Sequence, residues 1–406
     1  MRAGLASLLA GGLGGPALAD LRRRSGPRYF VSMFLRGGVD AIYTADPKTR
    51  AEVEPRVDLP YDANAIVDTG GVPMGPHFKQ LERWGRTLSF VRGVGVSTAN
   101  HESGARQMLR LRTGVSRKMP ALLDVIGRTR DSQPLGSVTL GQLISYEHSE
   151  AAFAAPTAGS KSSLLRRLDA LDPADLDVLA KAFRAHVAEV ERWPASTSRA
   201  ATLDHLRQVA ALFARLPAVP RFAPVEWSAR GGRQRLAVDL QRVLWLIEND
   251  LARGVYIKIF HDWDSHFRNA PKQASSTQGF TYLFDRFLGE LKTRRNAHGS
   301  LLDQTLVVAG SELGRFPVLN GNEGKDHFPE THFLVAGGGV PGGQVFGETD
   351  RMMGGRKVSL ATGRPDASGT HMMLDDVGTT LLIKAGVDPR LHGYHGRRLA
   401  FLDGGA

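Results

Sequence analysis

Continuous apolar runs alternate along this chain with stretches whose apolar residues recur at helical spacing. Tyr29-Phe-Val-Ser-Met-Phe-Leu35 is one such run, closed by Gly37-Gly38. Runs of this kind mark strands buried on both faces, as in parallel sheets. Further strands are predicted over Leu88–Val96, Val255–Phe260, Leu306–Ala309 and Phe333–Ala336. Helices are predicted over 102–112, Leu236–Leu251, Phe280–Leu291 and Leu374–Ala385. Strands alternating with helices make an α/β sheet. Between about Lys118 and Pro224 the character changes: Ala, Leu and Arg dominate, with helical spacing in Leu176–Val190 and Leu203–Leu216. The expected organisation is an α/β core over 29–117 and 225–405, interrupted by a mostly helical insertion over 118–224.

The polar segments just beyond the strands carry the chemistry. After Leu35 comes Arg36-Gly-Gly-Val-Asp40, and after Val96 comes Ser97-Thr98-Ala-Asn100-His101-Glu102. After Phe260 comes His261-Asp262-Trp-Asp264-Ser-His266. After Ala309 comes Gly-Ser311-Glu312-Leu-Gly-Arg315, then Lys325-Asp326-His327 and His332. Ligands of open α/β sheets bind beyond the carboxyl ends of the strands, so these segments would meet in one crevice. Each residue alone reads as an ordinary polar loop position; the joint pattern is the signal. Asp40, His101, Asp262, Asp264, His266, Glu312, Asp326 and His327 are the candidate metal ligands. Oxygen and imidazole donors without sulfur suit zinc, manganese, iron or calcium. Arg36, Arg106 and Arg315 are candidates for stabilising an anion, since a guanidinium matches phosphoryl oxygens in bidentate fashion. Arg110 shares the helix face of Arg106, four residues on.

The absence of cysteine excludes disulfides, thiolate zinc sites and a cysteine nucleophile at once. The net charge of +11, with 41 Arg against 11 Lys, favours anionic partners: an ester substrate or an anionic polymer. No nucleic-acid recognition motif accompanies the charge, so nucleic acid is not expected. Met1–Ala19 has a charged start, an Ala/Gly/Leu-rich middle and Ala17-Leu-Ala19 as a small-x-small site, the parts of an export signal. Its glycines make it too weak for a membrane span. A periplasmic or extracellular bacterial location is therefore expected. The low hydrophobicity suits the twin-arginine route, although the twin arginines themselves are absent.

At Phe34-Leu-Arg-Gly-Gly-Val-Asp40, Met74-Gly-Pro-His77, Gly95-Val-Ser-Thr-Ala-Asn-His101, Asp264-Ser-His266, Ser311-Glu-Leu-Gly-Arg315, Gly324-Lys-Asp-His327, Ala336–Gly343 and Asp376–Asp388 the chain resembles a known family. This is the bacterial domain-of-unknown-function family 1501, a sulfatase-like branch of the alkaline phosphatase superfamily. The resemblance implies an alkaline-phosphatase-like, mostly parallel sheet flanked by helices. It also implies twin-arginine export, and a two-metal site with a hydroxyl nucleophile at a helix start. Carried over by position, Asp264, His266 and His327 would form the first metal site, with Asp262 as an alternative carboxylate. Asp40 and Glu312 would serve the second.

Two departures stand out. The superfamily carries Asp-His where this chain has Glu312-Leu313, so His101 or His332 would have to replace a ligand. The family's serine before the histidine is Asn100 here, leaving Thr98, Ser97 or Ser103 as substitutes. The favoured expectation is an exported metal-dependent hydrolase of phosphate or sulfate esters with one or two metal ions. The alternatives are a non-catalytic metal-binding protein, or an anionic-polymer binder, on the same fold.

Overall fold

A computed structural model describes residues 26–114, 119–129, 133–140, 171–227, 232–259 and 263–403. The expected signal at 1–19 and the candidate ligand Asp262 lie outside the described residues. Eight strands form one sheet: β1 (Tyr29–Leu35), β2 (Leu88–Gly95), β3 (Leu135–Leu140), β4 (Ala252–Ile259), β5 (Thr305–Gly310), β6 (Glu330–Ala336), β7 (Gln344–Phe346) and β8 (Met372–Met373). The order is β7-β2-β6-β5-β1-β4-β3, with β8 also beside β2. All pairs are parallel except those of β6, which runs antiparallel to β2 and β5. This mixed, mostly parallel sheet flanked by helices is the fold class read from the sequence.

The alternation along β1 divides the core. Tyr29, Val31, Met33 and Leu35 face one apolar cluster with Leu240, Leu244, Phe284 and Phe287. Phe30 and Phe34 face the other, with Met108, Ile126, Val377 and Leu381. The first cluster is covered by α5 (Gly232–Glu248) and α6 (Asn269–Thr293). The second is covered by α1 (His101–Arg110), α2 (Leu122–Gly127) and α7 (Leu374–Lys384).

The stretch 118–224 is not helical throughout. Its α2 covers the sheet and β3 is a sheet strand, registered Val138↔Val255 against β4. Beyond them α3 (Pro173–Val190) and α4 (Thr197–Arg215) pack on each other through Phe183 and Phe213, whose rings stack at 5.4 Å. No helix among the described residues is long and apolar enough to cross a membrane.

Register sets where the site falls. Phe34 lies opposite Gly310, Leu35 opposite Ile259, and Gly95 opposite Glu330. Strands β1, β2, β4 and β5 therefore end in one row, with β6 starting beside them, and the polar segments leave the sheet together.

Candidate metal centre

Four of the predicted ligands converge. One donor atom each from His101, Asp264, His266 and His327 lies within 4.8 Å of the others. His101 begins α1 after β2; Asp264 and His266 follow β4; His327 precedes β6. At the end of β1, Gly37 makes the turn that lets these segments meet. Its φ is +116°, and a Cβ there would stand 2.5 Å from the backbone nitrogen of Asp264. A larger residue would push the β1 turn off the Asp264 segment.

The imidazoles are held from behind. Nδ1 of His101 lies 2.7 Å from Glu312 Oε1, Nδ1 of His266 lies 3.1 Å from Asp326 Oδ1, and Nδ1 of His327 lies 2.5 Å from the Ala99 carbonyl. Each acceptor fixes the Nδ1–H tautomer of a neutral ring and turns the Nε2 lone pair inward. The Nε2 atoms of His266 and His327 are 2.8 Å apart. His101 Nε2 is buried without a well-formed hydrogen bond and faces Asp264 Oδ1 at 3.3 Å. Lone pairs meeting lone pairs repel in neutral rings. A shared cation relieves that repulsion, so the residues fit a metal ion.

Charge also holds the centre together, and a metal ion would take the place of the proton on His101 Nε2. Burial opposes a charge on His101, but Asp264 and Glu312 outweigh it and raise its pKa to about 9. Burial also opposes the charge on Asp264, yet His101, His327 and Arg315 hold its carboxyl far below the usual range. Asp264 is thus a permanent anion. The side chains of Asp264 and His266 are 39% and 36% exposed, so the cluster opens to solvent on that side.

The remaining candidates stand elsewhere. Glu312 is buried behind His101 and accepts from the Gly37 amide at 2.9 Å and the Ser311 hydroxyl at 3.0 Å. Asp326 sits behind His266, with Asn320 holding it at 3.1 Å. Asp40 is apart from the four, buried against Lys325 Nζ at 2.8 Å and Asn269 Nδ2 at 2.9 Å. His332 is buried and points to Thr44 Oγ1 at 3.3 Å, with burial lowering its pKa to about 4. It is not one of the four converging residues, and Leu313 is itself a buried core residue. His101 is the histidine that joins the cluster.

The arginines divide likewise. Arg315 is not an open anion clamp. Its fully buried guanidinium donates to the carbonyls of Gly37, Gly38 and Lys325, and to Asp264 Oδ1 at 2.7 Å. Arg110 is buried and bonded to the Met119 carbonyl at 2.9 Å, so it guides no anion either. Arg106 is half-buried and donates to Ser103 Oγ at 3.1 Å. Arg36 is half-buried at the end of β1.

Asn100 is the N-cap of α1. Its side chain accepts from the amides of Glu102 and Ser103, both at 3.0 Å. Thr98 Oγ1 accepts from the Asn100 amide at 3.1 Å, and Ser97 is exposed. Sequence reasoning assigns no role to Lys325, Asn320 or the Ala99 carbonyl. Lys325 stands inside the Gly324-Lys-Asp-His327 motif, but its partner Asp40 is remote in the chain; a backbone acceptor leaves no mark in the sequence.

Residues 246–405 match the model of a family described as protein of unknown function (DUF1501), where several of the motifs above lie. No curated protein matches the chain. Among solved structures it is similar to the lipoteichoic acid synthase LtaP from Listeria monocytogenes, at 8% identity and TM-score 0.43, covering 95% of this chain and 80% of that one. It is also similar to the sulfatase PsFucS1 from Pseudoalteromonas sp., at 11% identity and TM-score 0.41, covering 97% and 77%. A third is the alkaline phosphatase of the Antarctic bacterium TAB5, at 10% identity and TM-score 0.37, covering 79% and 94%. At such TM-scores these likenesses say nothing about which side chains act.

Proposed function

We propose that the chain is an exported, metal-dependent hydrolase of phosphate or sulfate esters, with His101, Asp264, His266 and His327 holding the ion. The carrying observation is the convergence of three imidazole Nε2 atoms and one carboxylate, with every Nδ1 held by an acceptor. Three nitrogens and one oxygen favour zinc, or manganese or iron, over calcium, which takes oxygen donors. When bound, such an ion polarises an ester oxygen and acidifies water. The chain's own residues supply the rest. Arg315 keeps Asp264 ionised and fixed, while the half-exposed edge at Asp264 and His266 admits an anion that the +11 charge attracts. Asn100 caps α1 and offers no hydroxyl, so attack in this reading is by water or by the hydroxyl of Thr98, Ser97 or Ser103. The ester class rests on the family resemblance.

A second reading has its own observation. Four protein ligands resemble closed structural metal sites, whereas catalytic zinc usually keeps one position free. Zinc- or manganese-loaded protein assayed with aryl phosphate monoesters, diesters and sulfate esters separates the two. The hydrolase reading expects turnover that disappears in Asp264→Ala and His327→Ala while the circular dichroism spectrum is unchanged. Tightly bound metal with no turnover of any ester would establish the structural reading instead.

A further inference from the structure

We propose that Glu312 is a positioning residue for His101, and that the centre is built for one ion and not two. This rests on the metal reading above. Glu312 has both oxygens engaged: Oε1 faces His101 Nδ1 at 2.7 Å and the Gly37 amide at 2.9 Å, and Oε2 accepts from Ser311 Oγ at 3.0 Å. Helix α1 rests directly on this carboxylate. A Cβ on Gly104 would stand 2.9 Å from Glu312 Cγ, so the missing side chain brings His101 down onto its acceptor. A carboxylate so placed fixes the tautomer and azimuth of the ring whose far nitrogen faces the cluster.

The other carboxylate suited to a second ion already has a cation. Asp40 Oδ2 accepts from Lys325 Nζ at 2.8 Å and from Asn269, and Oδ1 accepts from the Ile42 amide at 3.2 Å. The same ammonium stands 3.2 Å from Asp58 Oδ2 and 5.2 Å over the Tyr43 ring. Lys325 and Asp40 are both buried. Displacing that ammonium would leave a buried, unpaired charge, the costly way to break a buried ion pair. Lys325 thus serves as the fixed cation of the Asp40 side, and the four-donor cluster remains for one metal ion.

The test uses purified full-length protein, Glu312→Gln, Glu312→Asp and Asp40→Asn, with zinc content by elemental analysis and zinc affinity by chelator competition. The visible absorption of the cobalt(II) forms reports ligand geometry. The wild type should bind one equivalent. Glu312→Gln should still bind one equivalent, about 10- to 100-fold more weakly and with a changed cobalt spectrum, because the ring is no longer held. Glu312→Asp, which keeps the charge, should recover part of the affinity and stands in if the glutamine variant does not fold. Asp40→Asn should bind one equivalent with a wild-type cobalt spectrum. Two equivalents in the wild type, falling to one in Glu312→Gln, would make Glu312 a ligand and overturn the proposal. Unchanged affinity and spectrum in a folded Glu312→Gln would do the same. A wild type that binds neither zinc nor cobalt overturns the metal reading itself.

Discussion

At the scale of single residues, burial decides which charges help and which cost. Asp239 on α5 has its pKa raised to about 6 by burial, with Arg235 and Arg242 compensating in part. A carboxyl raised above its unfolded value gives its full stability below the ordinary pKa near 4 and loses it as pH rises through about 6. Asp239→Asn should therefore be more stable than wild type by about 2 kcal/mol at pH 8 and no more stable at pH 4. Urea unfolding at the two values checks this; an equal difference at both would show that the carboxyl does not titrate as burial requires. The contrast with Asp264 is instructive. It is desolvated too, yet surrounded by His101, His327 and Arg315, so its carboxyl is driven down rather than up. Both aspartates look alike in the sequence, because the partners that separate them lie elsewhere in the chain.

Elements bring those partners together, and their legibility in the sequence follows how unbroken their apolar runs are. Strand β1 is readable because both of its faces are covered, which keeps Tyr29–Leu35 almost wholly apolar. The strand Leu135-Gly-Ser-Val-Thr-Leu140 is not. It is buried as β1 is, and among the described residues it pairs with β4 alone, but Gly136, Ser137 and Thr139 break the apolar run. The same limit applies to the site. Asp40 and Glu312 stand out as strand-end carboxylates, but whether such a group faces an ion, a lysine or an imidazole is set by the packing of α1 and the 316–326 loop. Asn100 reads in the sequence as a defective nucleophile, while in the structure it is the cap of α1. Asn100→Ala should cost about 1 kcal/mol, and Asn100→Ser should retain most of it, because the serine oxygen still accepts from the first-turn amides. Denaturant midpoints of the two variants decide; equal losses would mean that the side chain acts through something other than capping.

Across the whole molecule, the four donors tie together segments that leave the sheet at the ends of different strands. His101 enters from β2 and α1, Asp264 and His266 from the end of β4, and His327 from the hairpin ahead of β6. An ion bound to all of them favours the folded state, in which the donors converge, over an unfolded chain that scatters them. The stabilisation follows mass action: free metal at about 1,000 times its dissociation constant adds about 4 kcal/mol. Stripping the wild type with EDTA should lower its unfolding temperature, and returning zinc should restore it. His327→Ala removes one donor while the sheet keeps its pairing, so its unfolding temperature should sit near that of the stripped wild type and respond little to EDTA or zinc. Calorimetric scans at one heating rate compare wild type and His327→Ala, each untreated, stripped and zinc-restored. The reading fails if EDTA shifts wild type and His327→Ala equally, since the stabilising ion would then lie outside this cluster. A selective shift would tie the convergence at the strand ends to the stability of the entire α/β core.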